Sequence, residues 1–442
     1  MSISLLLLPF LFPTGPAPVR QDATPAILNL RERARWIDRV TLARLEQLAP
    51  RLMREEGIDT WVLVAREYNE DPVVLSMLPA TWMSARRRTI LVLHDPGGDA
   101  PLERLAVARY DLGRLFEGVW DPARQPNQWA ALAELLIQRD PARIALSFSP
   151  TFALADGLSE TEGAALRAAL PAVLVERIVS AERLAVRWLE TRVDEELAVY
   201  PRLCRTAHGI LEEGLSARVI TPGQTTTDDL AWWLRTRVSD LGLRTWFHPS
   251  VSVQRASDGR GDDFSRSPGE ERIQHGDLIH VDFGITYLRL NTDTQVHAYV
   301  LRPGETQPPA GLVAALAAGN RAQDLLLAEF ARGRTGNRVL ANALAAAREE
   351  GLQATIYTHP LGLHGHGAGP TIGLWDRQQG VPGPGDAPLM PHTCWAIELN
   401  VAVTVAEWGG SRIRVMLEED AHFDGERVHW LDGRQTELLL VR

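Results

Sequence analysis

Lysine is absent from the sequence, and every one of the 46 basic residues is an arginine. This excludes chemistry that needs a lysine amine, such as a Schiff base or the phosphate-binding lysine of a P-loop. Cysteine is nearly absent too, because only Cys204 and Cys394 occur. Two cysteines exclude a disulfide framework, although a single bridge between them stays open. Basic residues are outnumbered by the 56 acidic residues, and the resulting formal net charge of −10 argues against a nucleic-acid partner.

The chain also lacks any run of about 18 consecutive apolar residues, so we expect no membrane span. A shorter apolar run covers residues 3–12. It resembles the apolar core of a secretory signal peptide, although no basic residue precedes it. We therefore expect a signal peptide over residues 1–23, with a periplasmic or secreted mature protein that begins near residues 15 to 26. The alternative is an N-terminus that is disordered or assigned too far upstream.

The order of apolar patterns predicts two domains in this chain of 442 residues. Helical and buried-strand patterns alternate in the first part, which predicts an α/β domain over residues 27–182. A long charged helix is expected over residues 182–215, bent or split at Pro201 because proline breaks the helical hydrogen-bond ladder. Strand patterns then dominate, apart from an alanine-rich helical region at residues 310–350. They predict an α+β domain over residues 188–442.

Two aspartates lie beside an apolar strand in the stretch HVDFGITYLRLNTDTQV, residues 280–296. Asp282 and Asp293 would lie on opposite faces of one straight strand, because their spacing is odd. If the chain reverses after the bend that Gly284 offers, the two carboxylates can meet across antiparallel strands. Two close carboxylates repel each other unless a proton or a cation lies between them. The alternative is two solvated strand ends.

Further polar residues interrupt apolar sequence nearer the C-terminus. His359, His364 and His366 lie among glycines in YTHPLGLHGHGAG, residues 357–369. Imidazole is a common metal ligand, and glycine lets the backbone approach a compact site. Acidic residues interrupt two predicted strands, Glu398 in the strand at 393–405, and Glu418 and Glu419 in the strand at 413–423. Each acid alone could be an edge-strand carboxylate, but that explanation fits the whole set poorly.

The order Asp, Asp, His, Glu, Glu resembles the pita-bread metallohydrolase family, which includes methionine aminopeptidases, proline aminopeptidases, prolidases and creatinases. The hairpin at 280–296, HPLGLHGH, AIELN and MLEED each resemble a motif of that family, and the likeness covers most of the chain. It implies an α/β N-terminal creatinase-like domain followed by an α+β pita-bread catalytic domain. Relatives of this branch are often dimers through the N-terminal domain, so a homodimer is an open expectation.

Carried over residue by residue, the resemblance implies a site with two divalent metal ions. Mn²⁺ is the preferred ion and Co²⁺, Zn²⁺ or Fe²⁺ are alternatives, because an oxygen-rich site with one imidazole suits these metals. Asp293 and the last glutamate would bridge the ions, Glu398 could also carry the proton to the leaving amine, and His366 would hydrogen-bond the substrate or the tetrahedral intermediate. The implied metal ligands are Asp282, Asp293, His359, Glu398 and Glu418.

Two positions in this ligand set have competitors. His366 could itself be the ligand, and Gly373 would then stand where the accessory histidine belongs. We prefer His359 because that register keeps both histidines. Glu419 competes with Glu418, which we prefer because it best matches the position after an apolar strand residue.

The sequence also departs from the family pattern. Residues 258–267, DGRGDDFSRS, contain no histidine where the peptidases usually have one. Leu399 replaces the proline that usually follows the first glutamate, and Thr294 and Gln295 stand where the family has Thr-Arg. We expect a dinuclear metal-dependent aminopeptidase or dipeptidase of the Xaa-Pro type that acts on short peptides. The alternative is a homologue without peptidase activity, either a hydrolase of small C–N substrates or a binding module.

Overall fold

The computed structural model describes residues 26–256 and 270–442. The expected signal peptide and the stretch 258–267 lie outside these described residues. No helix within the two described ranges is long and apolar enough to cross a membrane.

Helices occur in both halves of the chain, and a π-helical turn, Arg44–Leu48, joins the first two. The helices are α1 (Leu30–Ala43), α2 (Ala49–Glu55), α3 (Pro72–Met77), α4 (Gln128–Arg139), α5 (Glu160–Ala169), α6 (Ala172–Val175), α7 (Glu182–Glu190), α8 (Asp194–Gly214), α9 (Thr227–Asp240), α10 (Ala310–Leu327) and α11 (Gly336–Glu349).

Strands are short in both halves. They are β1 (Thr60–Arg66), β2 (Arg88–His94), β3 (Glu103–Ala106), β4 (Glu117–Gly118), β5 (Ile144–Leu146), β6 (Ile178–Ser180), β7 (Arg244–Thr245), β8 (Ser250–Gln254), β9 (Leu278–Phe283), β10 (Ile285–Tyr287), β11 (Leu290–Asn291), β12 (Thr294–Val300), β13 (Gln353–Ile356), β14 (His359–Leu361), β15 (Thr393–Ala396), β16 (Leu399–Val405), β17 (Ser411–Leu417), β18 (Asp420–Phe423), β19 (Val428–Trp430) and β20 (Leu439–Val441).

The N-terminal half contains one mixed sheet with helices on both faces. Its strand order is β4-β3-β2-β1-β5-β6, with β1 antiparallel to β2 and parallel to β5. Trp61 and Leu63 of β1 pack with residues of α2 and α7, whereas Val62 and Val64 pack with residues of α4 and α5. Because alternate side chains are buried on opposite faces, the strand is continuously apolar from Trp61 to Ala65. The predicted α/β layer is therefore present.

The described residues of the C-terminal half form four small sheets, and pairs of helices pack against them. Their strand orders are β11-β10-β7, β20-β12-β9-β8, β13-β16-β17 and β14-β15-β18-β19. Residues of α8 and α9 pack in one apolar cluster with β9 and β10, and residues of α10 and α11 pack in another with β16 and β17. This is the α+β arrangement that the sequence predicts.

Two runs expected as single strands are each divided between two sheets. The run at 393–405 breaks after Ala396 and resumes at Leu399, so β15 and β16 belong to different sheets. The run at 413–423 breaks in the same way between β17 and β18. The prediction of continuous strands was wrong because apolar periodicity does not show where a strand changes sheets. The acids that interrupted the apolar pattern lie in these breaks, Glu398 in the first and both Glu418 and Glu419 in the second.

The charged helix expected over 182–215 is split, but not at Pro201. α7 ends at Glu190 and α8 begins at Asp194, and Pro201 lies inside α8. The split coincides with a buried ion cluster, in which Glu196 accepts hydrogen bonds from the Val193 backbone N–H (3.0 Å), Arg192 (3.2 Å) and Arg44 (2.7 Å). The tertiary contacts of Arg192 and Arg44, and not the proline, decide where the helix breaks.

Candidate metal centre

Asp282 and Asp293 lie on one antiparallel pair of strands. β9 and β12 pair so that Asp282 stands opposite Gln295. Asp293 comes two residues before Gln295, and because side chains alternate along a strand it faces the same side as Gln295 and Asp282. One carboxylate oxygen of each aspartate lies within 4.8 Å of the other. The two acids therefore meet although their spacing in sequence is odd.

The reversal between the two strands lies later than Gly284. It is a two-residue turn at Leu288 and Arg289, whose φ angles are 55° and 65°. Gly284, between β9 and β10, instead lets Trp246 pack closely against the backbone, since a Cβ there would lie 2.2 Å from Nε1 of Trp246. The expected bend at the glycine is thus a site of close approach and not the hairpin turn.

Glu398 and Glu418 enter the site from the two strand breaks. The backbone N–H of Gln295 donates to the carbonyl oxygen of Glu418 at 3.0 Å, which fixes the second break beside β12. The N–H of Ile397 donates to the carbonyl oxygen of Glu419 at 3.0 Å, which holds the first break against the second. One oxygen each of Glu398 and Glu418 and one nitrogen of His359 lie within 4.8 Å of one another.

His359 begins β14 and turns its ring towards the carboxylates. Its Nε2 lies 3.3 Å from Oε1 of Glu418 and 3.6 Å from Oδ2 of Asp293. Its Nδ1 lies 3.1 Å from the carbonyl oxygen of Pro360. If Nδ1 carries the proton and donates to that oxygen, Nε2 keeps the lone pair that a metal ion needs.

His366 also borders the site, on its exposed side. Its ring centroid lies 4.7 Å from that of His359, and one ligand atom lies within 4.8 Å of Asp293 and His359. Trp246 and Tyr357 flank the ring at 5.2 Å and 6.0 Å between centroids. The structure therefore brings both competing histidines to the site, with His359 buried among the carboxylates and His366 at its opening. His364 is in none of the possible ligand groups formed by the described residues.

Several buried atoms of this cluster have no hydrogen-bond partner in the described part of the chain. Buried polar atoms normally have a partner, and an unpaired one costs free energy. Four such atoms in one place, three oxygens and one nitrogen, match the donor set that ions such as Mn²⁺ prefer. The residues thus fit a metal site. The atoms are Asp282 Oδ1, Asp293 Oδ1, His359 Nε2 and Glu418 Oε1.

The pKa values of the cluster also favour a bound cation. Burial, reinforced by the neighbouring carboxylates, raises the pKa values of Asp282, Asp293 and Glu398 well above their usual range. Burial likewise raises the pKa of Glu418 to about 8, and the charge of Glu419 adds to the effect. Burial lowers the pKa of His359 to about 4, so the imidazole is neutral near pH 7. Without a cation, these acids therefore resist ionisation.

Glu419, the competitor of Glu418, has a different environment. Its Oε2 lies 2.8 Å from Nε2 of His208, and its Oε1 accepts a hydrogen bond from the backbone N–H of Gln435 at 3.1 Å. The other nitrogen of His208 lies 2.7 Å from Asp432. Both oxygens of Glu419 are thus engaged away from the cluster, and the geometry favours Glu418 as the ligand.

Sequence reasoning missed some residues that support the site. Gln295 donates hydrogen bonds to Oε1 of Glu398 at 2.8 Å and to Oε2 of Glu418 at 2.7 Å. Asp420 accepts a hydrogen bond from the backbone N–H of Asp293 at 3.1 Å and one from the thiol of Cys204. Cys204 and Cys394 are both free. The available signal was the polar Gln295 directly across from Asp282 in a fully buried strand.

Comparison with known proteins shows a family match over part of the chain and a shared fold. Residues 202–418 match the model of metallopeptidase family M24. Among solved structures, an X-Pro aminopeptidase from Thermotoga maritima is 17% identical with a TM-score of 0.63, and the match covers 88% of this chain and 100% of that chain. An Xaa-Pro dipeptidase from Bacillus anthracis is 17% identical with a TM-score of 0.61, and the match covers 93% and 100%.

A prolidase from Pyrococcus furiosus is 14% identical with a TM-score of 0.55, and the match covers 87% of this chain and 99% of that chain. A search of curated proteins finds no significant match. The structural likenesses confirm the predicted fold, an N-terminal α/β domain followed by a pita-bread domain. Residues 202–418 thus form a region similar to metallopeptidase family M24, in agreement with the resemblance drawn from the sequence.

Proposed function

We propose that this metallopeptidase is a dinuclear exopeptidase of the Xaa-Pro aminopeptidase or dipeptidase type, which hydrolyses the N-terminal bond of short peptides. The observation that carries the proposal is the meeting of four unpartnered donor atoms among buried carboxylates. Such a cluster is costly without a cation and suited to one. The solved structures of similar fold have Xaa-Pro peptidase names, which favours this substrate class.

Five side chains would hold the two ions, with Asp293 and Glu418 between them. Bound there, divalent ions such as Mn²⁺ would lower the pKa of a water molecule and polarise the substrate carbonyl group. Co²⁺, Zn²⁺ and Fe²⁺ are alternatives for the same donor atoms. The five residues are Asp282, Asp293, His359, Glu398 and Glu418.

Glu398 and His366 would act on the substrate side. Oε1 of Glu398 is held by the Gln295 amide, which orients this carboxylate for passing a proton to the leaving amine. Partial burial and the neighbouring His359 lower the pKa of His366 to about 4, so its ring is neutral near pH 7 and can donate a hydrogen bond to the substrate carbonyl oxygen. Trp246 and Tyr357 beside it offer apolar surface for a proline ring.

The test is a panel of short peptides incubated with the full chain at known Mn²⁺ occupancy. The panel contains Xaa-Pro dipeptides, longer peptides with proline in second place, and peptides that begin with methionine. We expect slow release of the N-terminal residue, lost after chelation and restored by Mn²⁺. Cleavage confined to internal bonds would contradict the proposal.

The alternative is a homologue without peptidase activity, which hydrolyses small C–N substrates or only binds them. It is favoured by the absence of histidine from residues 258–267, where the peptidases usually have one. Protein with full Mn²⁺ occupancy that cleaves nothing in the panel would establish this alternative.

A further inference from the structure

Trp246 lies between the two segments that carry the aspartates and the histidines of the candidate metal centre. Its indole N–H donates a hydrogen bond to the carbonyl oxygen of Thr292 at 2.8 Å, one residue before Asp293. A Cβ at Gly284 would collide with the same indole nitrogen, so the glycine leaves the room that this contact needs. One edge of the indole is therefore fixed on the hairpin that carries Asp282 and Asp293.

A face of the same indole lies against the histidine segment. A Cβ at Gly365 would lie 2.5 Å from Cδ2 of Trp246, and slightly closer to Cε2 and Cζ2. A point at nearly equal distances from these three atoms of the six-membered ring lies above the face of that ring. Gly365 has no φ in the left-handed region, so glycine is required here for space and not for backbone conformation. The indole thus packs between the backbones of two segments.

His366 depends on its neighbours for its position. It stands between two glycines, which leave the backbone conformationally permissive. It lies at the opening of the site, and no hydrogen bond within the described residues holds its ring. Aromatic rings contact it instead, at centroid distances of 4.7 Å for His359, 5.2 Å for Trp246 and 6.0 Å for Tyr357. The first two contacts are edge-to-face, an attractive arrangement for aromatic rings.

The contact with Trp246 differs from the other two because the indole is itself fixed on both segments. A group that hydrogen-bonds a substrate oxygen needs such support, since a misplacement of about 1 Å can cost about 100-fold in rate. A shift of the indole would move the wall against which the imidazole of His366 rests. The position of His366 is therefore coupled to that of Trp246.

We propose that Trp246 is a positioning residue, which holds the ring of His366 towards the carboxylate cluster. The inference rests on the proposed function, since that function gives His366 its role at the substrate carbonyl oxygen. Trp246 then acts through His366, and not only as apolar surface for the substrate. Its contribution to turnover should vanish when the imidazole of His366 is absent.

The first test is a double-mutant cycle in the full chain with Mn²⁺. Trp246→Phe keeps an aromatic ring but loses the N–H and the second ring, so kcat should fall about 10- to 100-fold. In His366→Ala protein the same substitution should lower kcat by no more than about 2-fold. Equal losses in both backgrounds would overturn the inference. Loss of Mn²⁺ from Trp246→Phe would place its role in the aspartate hairpin and overturn the inference as well.

The second test needs no turnover. Metal-free protein is labelled with histidine carrying ¹³C at Cε1, and the signal of His366 is the one missing from His366→Ala. Its NMR order parameter should be about 0.85 in the wild type and fall below about 0.6 in Trp246→Phe. An unchanged order parameter would overturn the inference. If the wild type cleaves no peptide, the proposed function fails, and this measurement alone decides whether Trp246 positions His366.

The matched control is Trp120→Phe. Trp120 is also half-buried, and its indole N–H also donates to a backbone carbonyl oxygen, that of Gln125 at 2.7 Å, but it lies in the N-terminal domain. This variant should keep the wild-type kcat and the order parameter of His366. Losses equal to those of Trp246→Phe would show a general effect of trimming an indole and overturn the inference.

Gly365→Ala reaches the same contact from the other side, and it decides if Trp246→Phe does not fold. The added Cβ cannot fit against the indole, so the ring has to shift. We expect a fall in kcat and in the order parameter of His366 similar to those of Trp246→Phe. Wild-type values of both quantities in Gly365→Ala would overturn the inference.

Discussion

Glu418 and Glu419 are neighbours in sequence, equally buried, and opposite in their surroundings. Glu418 is 1% exposed and Glu419 is 3% exposed. Glu419 lies against His208, whose second nitrogen contacts Asp432. Glu418 lies among Asp282, Asp293 and Glu398, with no basic side chain in hydrogen-bond contact among the described residues except His359, whose ring is neutral near pH 7. One acid is thus compensated by the chain itself, and the other is not.

The pKa values reflect this difference. Burial alone would lower the pKa of His208, but Glu419 and Asp432 raise it to about 10, so His208 is a cation near pH 7. Burial and Glu419 raise the pKa of Glu418 to about 8. A buried carboxylate beside a cation is part of the structure, whereas a group of buried carboxylates without one calls for a cation from outside the chain. Within a single dipeptide, the surroundings therefore separate a structural acid from a candidate ligand.

The largest effect on the uncompensated cluster around Glu418 is expected from Asp293→Asn. Asparagine keeps the shape but loses the charge that would lie between two dications, so at least one ion should be lost and turnover abolished. Peptide turnover and Mn²⁺ content after dialysis measure the effect. Asp432→Asn is the control, because that carboxylate contacts His208 and not the cluster, and it should keep both Mn²⁺ and turnover. Wild-type turnover in Asp293→Asn would exclude the proposed ligand set.

His366→Ala should reduce turnover by about 10²- to 10⁴-fold, the usual range for one acid–base group or polar stabiliser. Because His366 lies at the exposed side of the site, Mn²⁺ should remain bound, whereas His359→Ala should lose it. Turnover and Mn²⁺ content of both variants are measured together. If His366→Ala loses the metal and His359→Ala keeps it, the ligand is His366 and the preferred register is wrong.

Glu419→Gln tests the compensated side of the comparison. Removing this charge leaves His208 with Asp432 as its only carboxylate, and breaking a buried ion pair costs roughly 3 kcal/mol of the free energy of unfolding. Asp293→Asn should instead stabilise the metal-free protein near pH 7, because the raised pKa of Asp293 means that folding costs the uptake of a proton, whereas asparagine is neutral in both states. Urea unfolding of metal-free protein compares the two variants. Destabilisation by both to the same extent would contradict the distinction drawn here.

The sequence predicts both domains and the side chains of the cluster because each of these depends on local pattern. The acids and histidines are conspicuous where they interrupt apolar runs, as at Asp282 and Glu398. The strand breaks are not predictable in this way, since β15 and β16 form one apolar run and only their partners assign them to different sheets. The partners of Glu419 could not be predicted either, because His208 lies 211 residues away along the chain.

The smallest expected effect is a change in the pH dependence of stability when metal is added. The pKa of Glu418 rises from 4.5 to about 8 on folding, mainly through burial. Because the folded-state value is the higher one, the contribution of Glu418 to stability is complete below about pH 4.5 and is lost as the pH rises through about 8. Through Glu418 alone, the metal-free protein should therefore lose about 2 kcal/mol of the free energy of unfolding between pH 6 and pH 8, at 1.36 kcal/mol for each pH unit. The raised pKa values of Asp282, Asp293 and Glu398 add losses of the same sign. His208 adds a loss of the same sign over pH 6.5 to 10, so the difference between metal-free and Mn²⁺-saturated protein is the quantity that isolates the cluster.

Mn²⁺ binding requires the carboxylates to be ionised, so saturation with Mn²⁺ should reduce this loss of stability or reverse it. Urea unfolding at both pH values, with and without Mn²⁺, measures this difference, and equal slopes in the two series would show that the cluster does not take up the ion.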